Sequence, residues 1–340
     1  KPEAVMALYC GIDLHSNNHV IVINDEHDKT VFEKRIGNEL ALSLKYLEPF
    51  RDELVGIAVE STFNWYWLVD GLMEHGYKLH LVNTAAVKQY EGLKHSGDVK
   101  DAFHLAHLMR LEILPTGYIY PKEQRMIRDL LRRRMQLVQT SSKQLLSIQN
   151  QIWRSTGVRV SANQIKKKGF EITQLSGHLK MAADTNLRIY RSIREEIRLL
   201  ECEVEKAVKE PESLELLQTM VGIGPILGLT ILLETGTVER FKDVGNYASY
   251  CRCVQSLRES NGKKKGEGNA KSGNKYLSWA FSQVAHMAVR YEPKIKAFYD
   301  RKYHKRNGIV AIRAVAHKLA RAAYFMLKNK ERFDVQKAFG

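Results

Sequence analysis

Two short apolar runs in the first third of the chain each end in an acidic residue, and they limit how the chain can fold. Cys10-Gly11-Ile12-Asp13-Leu14-His15 closes the first run, and Leu54-Val55-Gly56-Ile57-Ala58-Val59-Glu60-Ser61 forms the second. A run of this length and apolarity reads as a buried strand. Strand-end carboxylates from two such runs come close together only if the strands share one sheet. A third acidic element follows, in which Asp98 and Asp101 lie three apart at the start of a helical pattern. That spacing puts both side chains on one helix face. Taken singly, a strand-end Asp is a turn former and Asp98 after Ser96-Gly97 is a helix cap. Together the four can hold two hard divalent cations, Mg2+ or Mn2+, through oxygen ligands. Such a pair clamps the attacking and leaving oxygens of a phosphodiester.

The surrounding pattern supplies the rest of a domain. Residues 5–24 read as two hairpin strands around Asp13, with Asn17-Asn18 in the turn, and Thr30–Ile36 as a third strand. Residues 38–52 have helical periodicity, Leu54–Ser61 is a strand, Asn64–His75 a helix and Tyr77–Asn83 a strand. Three antiparallel strands followed by alternating helix and strand is the order of a ribonuclease-H-like α/β domain (the RuvC-like class). Residues 85–113 read as one or two helices. Long amphipathic patterns over 119–155 and 187–209, rich in Glu, Arg and Lys, suggest an antiparallel coiled-coil insertion. The segment 156–185 between them is basic and weakly patterned. From residue 214 the texture changes: Leu216–Pro225 and Ile226–Glu234 resemble a helix-hairpin-helix, whose turn at Gly222 and Gly224 offers backbone amides to a phosphate. An ordinary Gly-Pro helix connection is the alternative. The expected parts are an α/β domain over 1–118, a helical coiled coil over 119–213 and a mostly α domain over 214–340.

Charge divides along the same lines. Residues 1–120 carry 11 basic and 17 acidic side chains, 121–240 carry 20 and 14, and 241–340 carry 22 and 7. An acidic first part concentrates metal ions, and a strongly basic last part fits a polyanion. Residues 261–275 hold one apolar residue, Ala270, and read as a mobile basic loop over a phosphate backbone. The candidate contacts there are Lys263, Lys264, Lys265, Lys271 and Lys275. Arg313 joins them from the polar faces of the helical stretch 276–330. The four cysteines are scattered, without zinc spacing, and suit a reducing cytosol. No membrane-length apolar run and no secretory-type stretch is read. His15, His104 and His107 read as structural, and Trp65 and Trp67 as core packing ahead of base stacking.

The motifs resemble the DEDD-type insertion-sequence transposases, related to the Piv-type DNA invertases, that are guided by a structured bridge RNA. The resembling segments are Gly11-Ile12-Asp13, Val59-Glu60-Ser61-Thr62, Lys94–Ala102 with its Asp98-Val99-Lys100-Asp101, Val221-Gly222-Ile223-Gly224, Phe241 with Tyr247–Tyr250, Glu259–Lys263 and Lys271–Leu277. Two segments depart from the family pattern: Ser96-Gly97 stands where Lys-Thr is usual, and Arg252-Cys253-Val254-Gln255 where Gly-Leu-x-Pro is usual. The resemblance implies that Ser260, with Ser256 as runner-up, attacks a DNA phosphate and forms a phosphoserine link that another strand's hydroxyl resolves. It also implies donor and target double-stranded DNA, a guide RNA, dimers assembling into a tetramer, and a bacterial cytoplasmic site at the nucleoid. The alternative is a Holliday-junction-type endonuclease that uses water and the four acids and leaves Ser260 idle.

Overall fold

A five-stranded sheet organises the first part of the computed structural model, which describes residues 6–90, 97–207, 211–254, 258–266 and 272–340. Strands β1 (Leu8–Leu14), β2 (Asn18–Asn24) and β3 (Thr30–Gly37) form an antiparallel meander. Helix α1 (Leu40–Leu47) then leads into β4 (Leu54–Glu60), which pairs parallel to β1. Helix α2 (Tyr66–Glu74) leads into β5 (Leu79–Val82), parallel to β4. The order across the sheet is β3-β2-β1-β4-β5. Helices α3 (Thr84–Val87) and α4 (Asp98–Arg110) complete this part.

Both faces of the central strands are covered, which is why β1 and β4 read as continuous apolar runs rather than as an alternation. On one face Ile12, Leu14, Ile21, Ile23, Ile57 and Val59 pack with Leu47, Leu68 and Leu72, all sealed from solvent. Full burial of each such side chain contributes about 1.5–3 kcal/mol. On the other face Ala58 packs with Leu105, Leu108 and Met109 of α4, and Val20 and Val22 pack with Ala102. Cys10 is buried, and burial pushes its thiol up.

The chain divides into two units, Lys1–Lys122 and Glu123–Gly340. The second begins in α5 (Lys122–Thr156) and continues through α6 (Ala162–Ile165) and α7 (Gly177–Lys206). Buried positions on α5 include Ser141, Leu145, Ile148 and Ile152, and those on α7 include Ala183, Leu187, Tyr190, Ile197 and Val204. These are the three-, four- and seven-residue steps of a coiled-coil seam. Asn186 bonds Ser147 at 3.0 Å and Arg134 pairs Glu201 at 2.6 Å, so one helix descends as the other ascends. The segment between them is more ordered than its weak pattern implied. Ser161 and Gln164 form a reciprocal capping box, and Val160, Ile165, Ile172 and Leu175 close a small core over the helix ends.

The remaining elements are α8 (Pro211–Gln218), α9 (Pro225–Thr235), α10 (Val244–Tyr250), the hairpin β6 (Arg258–Ser260) and β7 (Lys263–Gly266), then α11 (Lys275–Tyr291), α12 (Pro293–Lys305), α13 (Gly308–Asn329) and α14 (Val335–Phe339). Tyr247, Phe281, Val284, Leu319 and Ala323 centre their core. Within the expected basic loop, residues 263–266 are therefore the second strand of a hairpin. The reason is the Asn261-Gly262 pair, both left-handed (φ 52° and 67°), the dihedrals of a two-residue type I′ turn. Among the described residues, no helix is long and apolar enough to cross a membrane.

Candidate active site

Asp13 and Glu60 owe their position to a glycine. A Cβ on Gly11 would lie 1.9 Å from the Ala102 carbonyl oxygen and 2.9 Å from the Ala106 nitrogen. Helix α4 therefore crosses β1 in backbone contact, which only glycine permits. Side chains two apart share a sheet face, so Asp13 follows Gly11 onto the α4 side, where it is buried at 3% exposure. Ile12 pairs with Val59 in parallel register. The next residues, Asp13 and Glu60, thus stand side by side, and Glu60 shares the α4 face with Ala58. Asp98 and Asp101 occupy the first turn of α4, where the helix N-terminus favours negative charge.

The structure brings Asp13, His15 and Asp98 into one compact group, their ligand atoms all within 4.8 Å of one another. His15 Nε2 lies 3.2 Å from an oxygen of each carboxylate. That nitrogen is shut off from solvent, yet neither contact is aligned as a hydrogen bond. Glu60 and Asp101 are outside this compact group: Glu60 is half-buried at the end of its strand, and Asp101 is exposed one turn along α4. Two carboxylate oxygens and an imidazole nitrogen converging on one point are a donor set of the kind that holds a divalent metal ion. Arg35 of β3 pairs with Asp98, and its hydrogen bond, with the charge of His15, holds the Asp98 carboxyl below the usual range. The His15 carbonyl accepts from Asn38 at 3.0 Å and from Asn64 at 2.9 Å, which fixes the ring's backbone.

Ser260 is exposed at the last position of β6, opposite Lys263 across the type I′ turn. The helices that flank its hairpin in the chain, α10 and α11, are locked to each other. Glu234, 1% exposed, receives two bonds from Arg132, at 2.6 and 2.7 Å, and one from Asn274, at 2.7 Å. The Asn274 oxygen caps α11 by accepting from the Tyr276 and Leu277 amides, and the Asn274 amide donates to the Tyr250 carbonyl that ends α10. Gly273, left-handed at φ 88°, passes so close to Tyr250 that a Cβ would meet its carbonyl oxygen at 2.6 Å. Burial pulls the Arg132 guanidinium down, but its bonds to Glu234 outweigh that and raise it further.

Two family descriptions match the chain in order. Residues 10–153 match the DEDD transposase model of the IS110 type, and residues 214–300 match the transposase IS116/IS110/IS902 family. The chain belongs to the IS110 family of DEDD transposases. It is also similar to an insertion element IS116 uncharacterized 44.8 kDa protein of Streptomyces clavuligerus, 23% identical over 145 residues. That stretch is 42% of this chain and 36% of the relative, so the chain spans about a third of the length of the curated relative it matches.

Against that family background, the other expected residues fall in different places. Gly222 is left-handed (φ 95°), and its missing side chain is needed by α11: a Cβ would lie 2.8 Å from Met287 Cβ and 3.0 Å from the Val284 oxygen. Gly224 is exposed at the N-terminus of α9. Lys263 and Lys265 are exposed on β7, and Arg313 is exposed on α13. Lys275 starts α11, its Nζ 5.1 Å from the Tyr276 ring. Ser256, Lys271 and the Lys264 side chain lie outside the described residues. His107 is structural, since its Nδ1 is 2.9 Å from Asp28, which also accepts from Arg110 at 2.8 Å. Trp65 is buried, 4.6 Å edge-on from Tyr66, and belongs to the core. His15 and Arg35 lie outside the set expected from the sequence. The one sequence signal for His15 is its two-residue spacing from Asp13; Arg35, on another strand, has none.

Proposed function

We propose that the chain is a DNA transposase that cuts and rejoins strands at a metal-dependent acidic site, with Ser260 as the nucleophile. What carries this reading is the convergence of Asp13, His15 and Asp98 on one point, with Glu60 alongside Asp13 on the same face of the sheet. Asp13, Glu60, Asp98 and Asp101 would hold Mg2+ or Mn2+, with His15 as a further donor. The ion, once bound, supplies Lewis-acid polarisation of the phosphoryl oxygens and neutralises charge on the leaving oxygen. Ser260 Oγ loses its proton and bonds to phosphorus as the deoxyribose oxygen leaves and gains one. A second strand's hydroxyl then displaces the serine. One ester replaces another at each step, so no nucleotide cofactor is required. Lys263 and Lys265, exposed across the turn from Ser260, supply positive charge for the phosphate.

No His–Asp pair adjoins Ser260 in the sequence, so activation by a neighbouring cation fits better than a triad. Further proposals from the family resemblance are guidance by a structured RNA, with the protein reading backbone and shape, and dimers pairing into a tetramer that holds donor and target DNA. The deciding experiment incubates the protein, with RNA transcribed from the DNA flanking its gene, with Mg2+ and labelled donor DNA. The products are then run on a denaturing gel. A labelled protein–DNA band that is lost in Ser260→Ala is expected. Cleaved DNA without an adduct, still made by Ser260→Ala, would instead identify a water-using, junction-type endonuclease.

A further inference from the structure

Phe63 is 86% exposed, the highest exposure of any large apolar side chain among the described residues. It sits on the short segment that follows Glu60, and that segment is braced. The Thr62 amide donates to the Glu60 carbonyl at 2.9 Å, and the Thr62 hydroxyl donates to Asn64 Oδ1 at 2.9 Å. Asn64 Nδ2 in turn donates to the His15 carbonyl at 2.9 Å. On the far side Trp65 is buried in the core against Tyr66. The backbone is thus held from both directions, and the ring between the braces points into water. A Phe at a surface turn gains nothing from burial, and nothing in this segment's own packing calls for an aromatic there.

Its position ties it to the acidic site. Its neighbour Asn64 is bonded to the backbone of His15, and it lies three positions along the chain from Glu60. An extended chain puts their Cα atoms no more than about 10 Å apart. Stacked bases repeat about every 3.4 Å along a strand, so that reach covers about three nucleotides from a phosphate at the acidic group. We infer that Phe63 is a stacking platform for an unpaired nucleobase of the DNA strand held at the Asp13–His15–Asp98 site. A base inside a duplex hides both faces in its stack, so the partner is a base exposed by strand opening. An acidic site that takes a phosphodiester and a fixed aromatic ring beside it are the two halves of a nucleotide-binding subsite. This rests on the phosphodiester reading above.

The test uses the full chain and a single-stranded oligodeoxythymidine in which some bases are 5-iodouracil, which crosslinks to a stacked aromatic ring under long-wavelength ultraviolet light. The peptide carrying Phe63 is expected in the crosslinked fraction by mass spectrometry, lost in Phe63→Ala and kept in Phe63→Tyr. Affinity for the single strand is expected to fall about 5- to 100-fold in Phe63→Ala, with the duplex form of the same sequence changed less than 2-fold. Crosslinking only elsewhere overturns the inference. So does an equal loss for both forms of DNA that Phe63→Tyr does not repair. Asp13→Asn separates this from the chemistry: full strand cleavage by Asp13→Asn would end the acidic-site reading, while the crosslink still reports on Phe63.

Discussion

The two chemical elements of this chain are built in opposite ways. The acidic group hangs on a buried five-stranded sheet. Asp13 is fixed by a strand whose neighbours on both sides are fully paired, and α4 is pressed onto that strand at Gly11. Ser260 stands exposed on a three-residue strand, paired with Lys263 across a tight turn. In the first region the candidate residue Asp13 belongs to the core. In the second Ser260 is exposed, and the buried Arg132–Glu234–Asn274 network ties together helices that flank its hairpin in the chain. Sites on strands hold geometry tightly, and sites on short hairpins can adjust to what they bind.

Four measurements would break or sharpen this contrast. Removing Glu234 has the largest expected effect. Glu234→Ala leaves Arg132 without its bidentate partner and removes the shorter of the two side-chain bonds that Asn274 donates, a cost of about 3–5 kcal/mol for a broken buried pair. Urea unfolding followed by circular dichroism would read it. A loss under 1 kcal/mol would mean that the junction does not depend on the network. Asp13→Asn comes next, with metal-dependent strand cleavage expected to fall at least about 100-fold and the melting temperature unchanged or raised. A parallel loss of stability would make Asp13 a structural residue. Gly11→Ala is expected to cost about 1–3 kcal/mol, because the added methyl has only backbone to push against. Cleavage should fall further than stability, since α4 carries Asp98. Thermal unfolding and cleavage rates on the same preparation would test this, and an unchanged melting temperature would refute the close crossing.

The smallest effect concerns pH. The Arg110 hydrogen bond, helped by His107, lowers the Asp28 carboxyl below its ordinary 3.8. A carboxyl depressed in the folded state adds stability that is complete above the unfolded value and is lost as pH falls through the folded one. The first unit is therefore expected to lose about 1 kcal/mol or less below roughly pH 4. Asp28→Asn should keep the left-handed backbone at this turn (φ 61°) and flatten that acid limb. Melting temperatures between pH 3 and pH 7 would show it. An identical acid limb in the variant would remove Asp28 from the account.

Much of the first unit is legible in the amino acids because its signals are local. Apolar runs bounded by turns give β1 to β5 nearly to their ends, and Gly76 after α2 stops the helix where a left-handed residue is needed. The coiled-coil seam is likewise a local period. Asn261-Gly262 carries a hairpin signal too, yet the lysines around it masked that signal as a solvated loop. His15 illustrates the opposite case. Nothing near it in sequence reveals that Asp98 comes within 3.2 Å, because the contact depends on how closely α4 crosses β1.

The sequence by itself determined most of the elements, their order and the positions of the acidic residues along them, since each depends on neighbours a few residues away. Only the tertiary structure decided which side chains share a point. It added His15 and Arg35 to the acids, packed Gly222 against α11, buried Glu234 against Arg132 and Asn274 and left Phe63 in solvent. The physical reason is that convergence is set by distances between elements far apart in the chain. Those distances are fixed by how small a residue such as Gly11 lets two backbones approach, and no local pattern records them.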